Sequence, residues 1–346
     1  MSRMIDRMLA QCRKDGRTAV ADELSQMRVF VIDNVADYYF AGTDQEIWFL
    51  DTDFPNVAPP FERFFVEFKA PNRIVSREFG TMVWKESERK DEAGYGFMAY
   101  GVDKQHLTEI PAAERFLRER RIPLDEVAWV LGLAMFRERR SSGCDQKPVF
   151  IRWFAVRPDG SIWYNKAEPS QQQPGHFIVP SFIGSPIVDD FYDDIAAMHR
   201  EPTDAERAQL DDLTRVISEG YAGTMQVVLL ALSFLHCKNV KMQPVRPEPK
   251  LSRAYRRRHG QELVSYHTLD ITPMRAVMAA PAADGSGPAG KKALHIARGH
   301  FKTFDERPLF GRWKGVFWWS PMVRGTGPRK VVTDFRVNAP EVPQGS

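Results

Sequence analysis

Residues 291–325 limit the possible folds more than any other part of the chain. This stretch contains three tryptophans, four phenylalanines and eight Lys or Arg residues. Its first part reads as a strand in which Leu294 and Ile296 share one side, a short basic loop follows at 305–314, and the segment 315–323 is apolar on both sides. The pattern predicts a β-hairpin whose second strand is covered on both faces.

The first strand of this hairpin contains two histidines. His295 and His300 are an odd number of positions apart, so a regular strand would place them on opposite faces. A β-bulge at Arg298-Gly299 would bring both histidines to one face together with Lys302, and glycine is favoured at bulges. We therefore predict a bulge at this position and a polar face that carries both imidazoles.

The rest of the chain mixes helical and strand patterns. Residues 2–40 have helical spacing of apolar side chains, and residues 60–71 alternate as a strand does. Residues 125–139 are predicted to be a helix. Residues 224–237 are predicted to be a buried helix, because their apolar run is about half of the ~20 residues that a membrane span needs. We predict an α+β fold, a mostly antiparallel sheet packed by helices, with the C-terminal β-hairpin joining or extending that sheet.

Composition divides the chain into regions. Between Pro244 and Arg336 there are 18 Lys or Arg and 7 Asp or Glu, whereas the whole chain is only +3, so the preceding part is net acidic. A basic region on an acidic body indicates a polyanion or an acidic protein surface as partner. The predicted regions are an acidic α+β body (1–242), a proline-rich linker (243–250), a basic C-terminal β-hairpin region (251–338) and a disordered tail (339–346).

Several classes of function have no support in the sequence. The three cysteines are far apart and no Cys/His group has metal-ligand spacing, so we expect a reduced cytoplasmic protein without a metal. Neither a GxxxxGK[ST] nor a GxGxxG motif occurs, and no cofactor is predicted. The N-terminus has the pattern of an amphipathic helix rather than of a signal peptide, and no membrane partner is expected.

Basic side chains interleaved with aromatic ones suit RNA or single-stranded nucleic acid, because cations meet the phosphates and bases stack on the rings. The alternative is structural: dense Trp and Phe commonly form a core, and a run of arginines commonly forms a solvated helix face. The candidate residues for binding nucleic acid or another partner are Arg253, Arg256, Arg257, Arg258, His267, Arg298, Lys302, Arg307, Arg312, Lys314, Trp318, Trp319 and Arg324.

Several blocks resemble a sequence set carried by phages, prophages and conjugative plasmids. These blocks are PFERFFVEF, KLSRAYRRRHG, VSYHTLDI, LHIARGHFKTF, RPLFG and GVFWWSPMVRG. The overall pattern, a strand with histidine, arginine and glycine followed by a tryptophan-rich strand, resembles the larger type V-A anti-CRISPR protein family. The matching positions are His295, Arg298, Gly299, His300, Phe301, Trp318, Trp319, Arg324 and Gly325, with Arg253 and His267 in the upstream blocks.

The resemblance implies a regulator that lowers the amount of a CRISPR effector nuclease through loss of its messenger RNA during translation. The first functional hypothesis is therefore a mobile-element regulator or inhibitor that binds a protein segment, an RNA, or a ribonucleoprotein such as a ribosome with its nascent chain. The alternative is a metal-independent RNA-cleaving or RNA-processing enzyme with His295 and His300 as candidate acid and base and Arg298 as phosphate clamp. A phage assembly protein is a third hypothesis, and no repeat or coiled coil supports it.

Overall fold

The structure is a computed structural model. It describes residues 2–40, 54–70, 73–78, 81–86, 90–145, 148–163, 203, 221–271, 295–297, 299–309, 311–319 and 322–324.

Six α-helices occur in the described residues. They are α1 (Met4–Lys14), α2 (Thr18–Gln26), α3 (Asp33–Phe40), α4 (Pro111–Glu119), α5 (Ala222–Leu235) and α6 (Pro249–His259). Two short 3-10 helices, Lys104–Glu109 and Leu124–Glu126, precede α4 and the strand at Trp129.

The same residues contain fourteen strands. They are β1 (Arg28–Val31), β2 (Arg63–Lys69), β3 (Arg73–Glu78), β4 (Thr81–Glu86), β5 (Glu92–Asp103), β6 (Trp129–Arg139), β7 (Gly143–Cys144), β8 (Phe150–Val156), β9 (Lys241–Val245), β10 (Tyr266–Asp270), β11 (His295–Ala297), β12 (His300–Leu309), β13 (Trp313–Trp319) and β14 (Met322–Arg324).

Eight of these strands form one mixed sheet in the order β7-β6-β5-β2-β1-β10-β9, and β8 also pairs with β6. The central strand β1 is parallel to β2 and to β10, whereas the outer pairs are antiparallel. The predicted α+β fold with a mostly antiparallel sheet is therefore confirmed.

Helices cover both faces of the sheet. The central strands carry apolar side chains at odd and at even positions, so each face has apolar surface that a helix can bury. In β2, Phe64 and Val66 belong to the core cluster that includes α3 and α5, whereas Phe65 belongs to the cluster that includes α1 and α2. A third cluster places α4 against the ends of β5, β6 and β8. Strand alternation therefore decides which helix each side chain meets.

The predicted helix at 125–139 is wrong, because residues 129–139 form β6. This strand pairs with β5 and β8 along its two edges. Its two faces are both buried, because Leu131 and Leu133 belong to one core cluster and Ala134 and Phe136 to another. An apolar run that is buried on both faces has neither helical nor strand periodicity to distinguish the two. Gly132 fits the strand, since a Cβ atom there would lie 2.4 Å from the Trp153 ring.

The predicted linker at 243–250 is also wrong for its first residues, because β9 is an edge strand of the large sheet. Its residues pair with β10 from Lys241 opposite Asp270 to Val245 opposite Tyr266. Pro244 is compatible with an edge strand, where its missing N–H can face away from the neighbouring strand. The rest of the predicted linker leads into α6, and the sheet contains strands from both sides of the predicted boundary.

The C-terminal hairpin forms, with β12 antiparallel to β13 and β11 antiparallel to β14. Within the described residues its strands pair with each other and not with the large sheet, so the prediction that it extends that sheet is not met there. It packs on α5 through side chains instead, for example Phe301 on Phe234 with ring centres 5.3 Å apart. The predicted tail at 339–346 lies outside the described residues.

None of the helices that the structure describes is long and apolar enough to cross a membrane.

Candidate functional site

The two adjacent tryptophans of the hairpin, Trp318 and Trp319, pack against other side chains of the protein. Trp318 is only 2% exposed, and its ring centre lies 4.9 Å from those of Phe234 and Phe301 and 5.5 Å from that of Tyr38. Trp319 is half-buried and faces the opposite side of the strand. Trp318 therefore anchors the hairpin on α5, as the core alternative predicts, and it is not available to stack on a base.

Polar contacts fix the hairpin to the chain between α5 and β9. The Asn239 side-chain amide donates to the Trp318 carbonyl (2.7 Å), and its oxygen accepts from the Trp318 N–H (2.9 Å). The Lys238 N–H donates to the Val316 carbonyl (2.9 Å). Strand β13 is thus held at Trp318 and at Val316 by the two residues that lead into the sheet edge.

The predicted bulge at Arg298-Gly299 is wrong. His295 pairs with Arg324 and His300 pairs with Trp319, so the two pairs are separated by equal numbers of residues on both strands. The register shift lies further along, between Phe304 and Leu309. The register of the described pairs therefore does not contain the extra residue by which the prediction brought the two histidines to one face.

The residues of the predicted acid–base site differ in their surroundings. His300 is exposed at the start of β12. The side chains of His295 and Arg324, and the whole of Arg298, lie outside the described residues. Gly299 has a packing role, because a Cβ atom there would lie 2.6 Å from the Trp318 ring and 2.7 Å from the Tyr38 hydroxyl.

The outer face of β12 and the hairpin tip carry the predicted cations. The Lys302 amino group lies 5.0 Å from the ring centre of Phe304 and 5.8 Å from that of Trp319. Arg307, Arg312 and Lys314 are exposed around the tip. Among the described residues of the predicted hairpin site, Lys302, Arg307, Arg312 and Lys314 are exposed, whereas Trp318 is part of the core.

Helix α6 presents its arginines to solvent because its other side is fastened to α1. The Tyr255 hydroxyl and the Gln261 side-chain amide each donate to the Asp6 carbonyl at 3.0 Å, and the Val264 N–H donates to Asp6 Oδ1 at 2.8 Å. Burial raises the pKa of the Asp6 carboxyl, although N–H groups from Val264 and Arg3 oppose the shift. The helix ends at Gly260, whose φ of +76° suits glycine.

All four predicted arginines of α6 are exposed. Arg256 forms an ion pair with Glu262 at 3.2 Å, and Arg253 donates to the Pro249 carbonyl at 3.2 Å. Arg257 and Arg258 lie in the last turn, where cations are favoured by the helix dipole. His267, by contrast, is half-buried in β10 with its ring centre 5.7 Å from that of Phe30, so it belongs to the packing of the sheet.

Further cations that the sequence analysis did not select continue from α6 along β9. We call the whole set the basic edge. It consists of Lys238, Lys241, Arg246, Lys250, Arg253, Arg256, Arg257 and Arg258, all of them exposed.

Glu248 is the single carboxylate within the span 238–258 of the basic edge. These charged residues could be read from the sequence. Because residues 243–250 were predicted to be a linker, the sequence prediction did not place them on the edge of a sheet. The cations of the basic edge therefore belong to two consecutive elements and their flanking residues, and Lys238 at its beginning contacts the hairpin.

A second candidate site is a cleft of about 410 Å³ at the carboxyl ends of the parallel strands β1 and β10. Crevices at such strand ends commonly bind ligands. Here the polar groups satisfy one another: Arg3 pairs with Asp33 at 3.1 Å, and Gln243 donates to Asp270 at 3.1 Å. The cleft therefore presents no converging set of polar groups toward a ligand. Its lining residues are Arg3, Val31, Asp33, Asn34, Gln243, Thr268, Leu269 and Asp270.

A comparison of the chain with protein-family models, curated proteins and solved structures finds no match.

Metal-dependent chemistry gains no candidate from the described residues, because none of their His, Cys, Asp and Glu side chains form a group of three or more that could hold an ion. Burial also makes the thiols poor nucleophiles, and it raises the pKa of Cys12 above its ordinary value. Burial raises the pKa of Cys144 and that of Cys237 to about 12, so both thiols are protonated at neutral pH. The arrangement of the described residues supports binding of an anion at the basic edge better than it supports bond cleavage.

Proposed function

We propose that the protein binds RNA through the basic edge. The observation that carries this proposal is a set of eight exposed cations within residues 238–258, three of them in or beside β9 and five in α6. Glu248 is the one acidic residue of that sequence span, and two carboxylates from outside it, Glu262 and Asp270, lie beside Arg256 and opposite Lys241. Such an excess of positive charge attracts a polyanion, and release of counterions from the phosphates supplies most of the binding free energy. Five of the eight cations are arginines, whose guanidinium groups can bind a phosphate through two parallel hydrogen bonds.

The composition of the basic edge favours a nucleic acid over an acidic protein surface. A stable protein interface has an apolar centre surrounded by polar groups. Among the described residues of β9 and α6, the exposed large apolar side chains are Met242 and Leu251. The cations outnumber them, so electrostatic attraction dominates what this surface can offer a partner.

RNA binding is consistent with the role that the sequence resemblance implies. A mobile-element regulator that acts on a messenger RNA or on a translating ribosome needs a surface for phosphates, and we propose this role for the chain. The ribonuclease alternative depended on a bulge that would bring two histidines together. Since the register contains no such bulge, no observation in the described residues favours that alternative.

The proposal is tested by fluorescence anisotropy with a labelled RNA that has one stem and a single-stranded tail. Replacing Arg257 and Arg258 by alanine removes two phosphate contacts. We expect affinity to fall about ten-fold at moderate salt. The slope of log K against log salt should become shallower by about 1.4 to 1.8.

The matched control removes two exposed cations, Lys104 and Arg118, at the other side of the sheet. They lie in the first 3-10 helix and in α4, whose apolar side chains pack with those of β8. Strand β8 is six strand spacings, about 29 Å, from β9. Alanine at these two positions should leave affinity and slope unchanged. Equal losses in the two double variants, or no binding to RNA even at low salt, would overturn the proposal.

A further inference from the structure

Trp313 differs from the other two tryptophans of the hairpin in its exposure. Trp313 is 50% exposed to solvent, whereas Trp318 is 2% exposed and Trp319 has an intermediate exposure. An indole left in water has a large apolar surface and a π face that can stack on another ring. Exposure alone is common among surface residues, so the surroundings of the ring decide what it can bind.

The hairpin tip holds Trp313 in a defined position. The Gly311 N–H donates to the Pro308 carbonyl (3.0 Å), and the Arg312 N–H donates to the Leu309 carbonyl (3.1 Å). Gly311 has a φ of +68°, which this tight turn requires and glycine allows. Trp313 is the cross-strand partner of Leu309, which is itself buried. The backbone of Trp313 therefore follows directly on a hydrogen-bonded turn, and half of its side chain is exposed to solvent.

Cations flank the exposed ring. The Arg312 guanidinium carbon lies 5.6 Å from the ring centre of Trp313, and Lys314 is exposed at the next position. Arg307 is exposed on the opposite strand. Asp305 and Glu306 are exposed on that same strand, so the net positive charge of the tip comes mainly from Arg312 and Lys314, the residues next to Trp313.

The ring is also connected to the basic edge. Lys238, the first cation of that edge, donates its backbone N–H to Val316, and its side chain lies beside Gly315. Gly315 is two residues from Trp313, a distance of about 7 Å along a strand. A chain of phosphates that follows the basic edge past Lys238 is therefore led toward Trp313.

We propose that Trp313 is a stacking site for an unpaired base, and that the ligand class is RNA with unpaired nucleotides. This inference rests on the proposed function. In a duplex the faces of the bases are covered by their neighbours, so an aromatic side chain can stack only on a base that is unstacked. An exposed ring between phosphate-binding cations is the arrangement by which proteins bind single strands without sequence preference.

The test compares an unstructured single-stranded RNA with a duplex of the same length, measured by anisotropy with the full-length protein. Trp313→Ala should weaken single-strand binding about five-fold or more and leave duplex binding unchanged. Trp313→Phe keeps a ring and should stay within about two-fold of the parent. Leu124→Ala, which removes another exposed apolar side chain, should change neither affinity. Unfolding curves of all variants should coincide.

Two results would overturn the stacking site while leaving the proposed function intact. One is equal weakening of single-strand and duplex binding by Trp313→Ala. The other is unchanged single-strand binding by Trp313→Ala in a protein whose affinity still falls when Arg257 and Arg258 are replaced. Absence of binding to either RNA at low salt would overturn both proposals.

Discussion

At the scale of single residues, Glu67 shows how one carboxylate ties the first helix to the sheet. Its side chain is 4% exposed in β2 and accepts hydrogen bonds from the N–H groups of Met4 (3.3 Å) and Ile5 (2.9 Å). These N–H groups belong to the first turn of α1, where an anion is favoured by the helix dipole. Burial opposes ionisation more strongly than these groups favour it and raises the pKa of Glu67 to about 7.

This raised pKa predicts a dependence of stability on pH. The folded pKa lies above the ordinary value of 4.5, so the unfolded chain loses the proton first as pH rises. The stabilisation that comes from protonated Glu67 is complete below pH 4.5 and is lost between pH 4.5 and 7, by about 3 kcal/mol. Glu67→Gln, which cannot ionise, should remove this loss, as measured by urea unfolding at pH 4.5 and at pH 7.5.

The control for Glu67 is Glu62→Gln, because Glu62 precedes the same strand and is exposed. That variant should keep the parent's loss of stability over the same pH range. If Glu67→Gln retains the full loss as well, Glu67 is not the group that titrates.

At the scale of elements, the hairpin is positioned by packing on α5 and not by sheet pairing. Trp318, Phe301 and Phe234 form its contact, and Gly299 allows the Trp318 ring to lie against the backbone. Gly299, where a bulge was predicted, is thus required because the Trp318 ring lies too close to the backbone for a Cβ atom. The hairpin that is held in this way exposes Lys302 on β12 and Arg312 and Lys314 at its tip.

Gly299→Ala should therefore destabilise the protein by about 1–3 kcal/mol, because a methyl group there overlaps the Trp318 ring and the Tyr38 hydroxyl. Chemical denaturation measures the change. Gly223→Ala in α5 is the matched control, since the nearest atom to its added Cβ would be 3.7 Å away. The control should be neutral or stabilising, as alanine is favoured over glycine in a helix. Equal stability of the two variants would contradict the close packing of the hairpin.

At the scale of the whole molecule, the large sheet joins the two parts that composition separates. Strands β9 and β10 come from the basic region or its border, yet β10 pairs with β1 near the N-terminus, with His267 opposite Phe30. Asp6 in α1 likewise accepts hydrogen bonds from Tyr255 and Gln261. The acidic and basic parts therefore share one sheet and one core.

A fragment of residues 1–242 should consequently not fold on its own. It would lack β10 and most of β9, which leaves the edge of β1 unpaired and buried side chains such as Leu269 missing. We expect aggregation or unfolding without a cooperative transition, measured by solubility, circular dichroism and urea titration. Cooperative unfolding of this fragment, with native secondary structure, would instead establish 1–242 as an independent domain.

Sequence predictions were correct where the deciding contacts are between residues close in the chain, and wrong where those contacts come from distant segments. The buried helix at 224–237, the strand at 60–71 and the hairpin of β12 and β13 have patterns that reflect neighbours close in the chain, and the structure contains all three. The helix predicted at 125–139 was wrong because residues 129–139 become a strand by pairing with β5 and β8, which lie outside the segment. The basic edge was only partly predicted, because its lysines precede the segment whose arginines drew attention.

The sequence by itself determined the α+β class, the cationic character of the C-terminal third and the pairing of its aromatic strands, because these depend on composition and on local alternation. The tertiary structure alone decided that Trp318 is buried while Trp313 is exposed, and that β9 is a sheet edge. Both residues have the same side chain and lie in the same strand. Whether each meets α5 or water depends on packing between segments far apart in sequence, which no local pattern specifies.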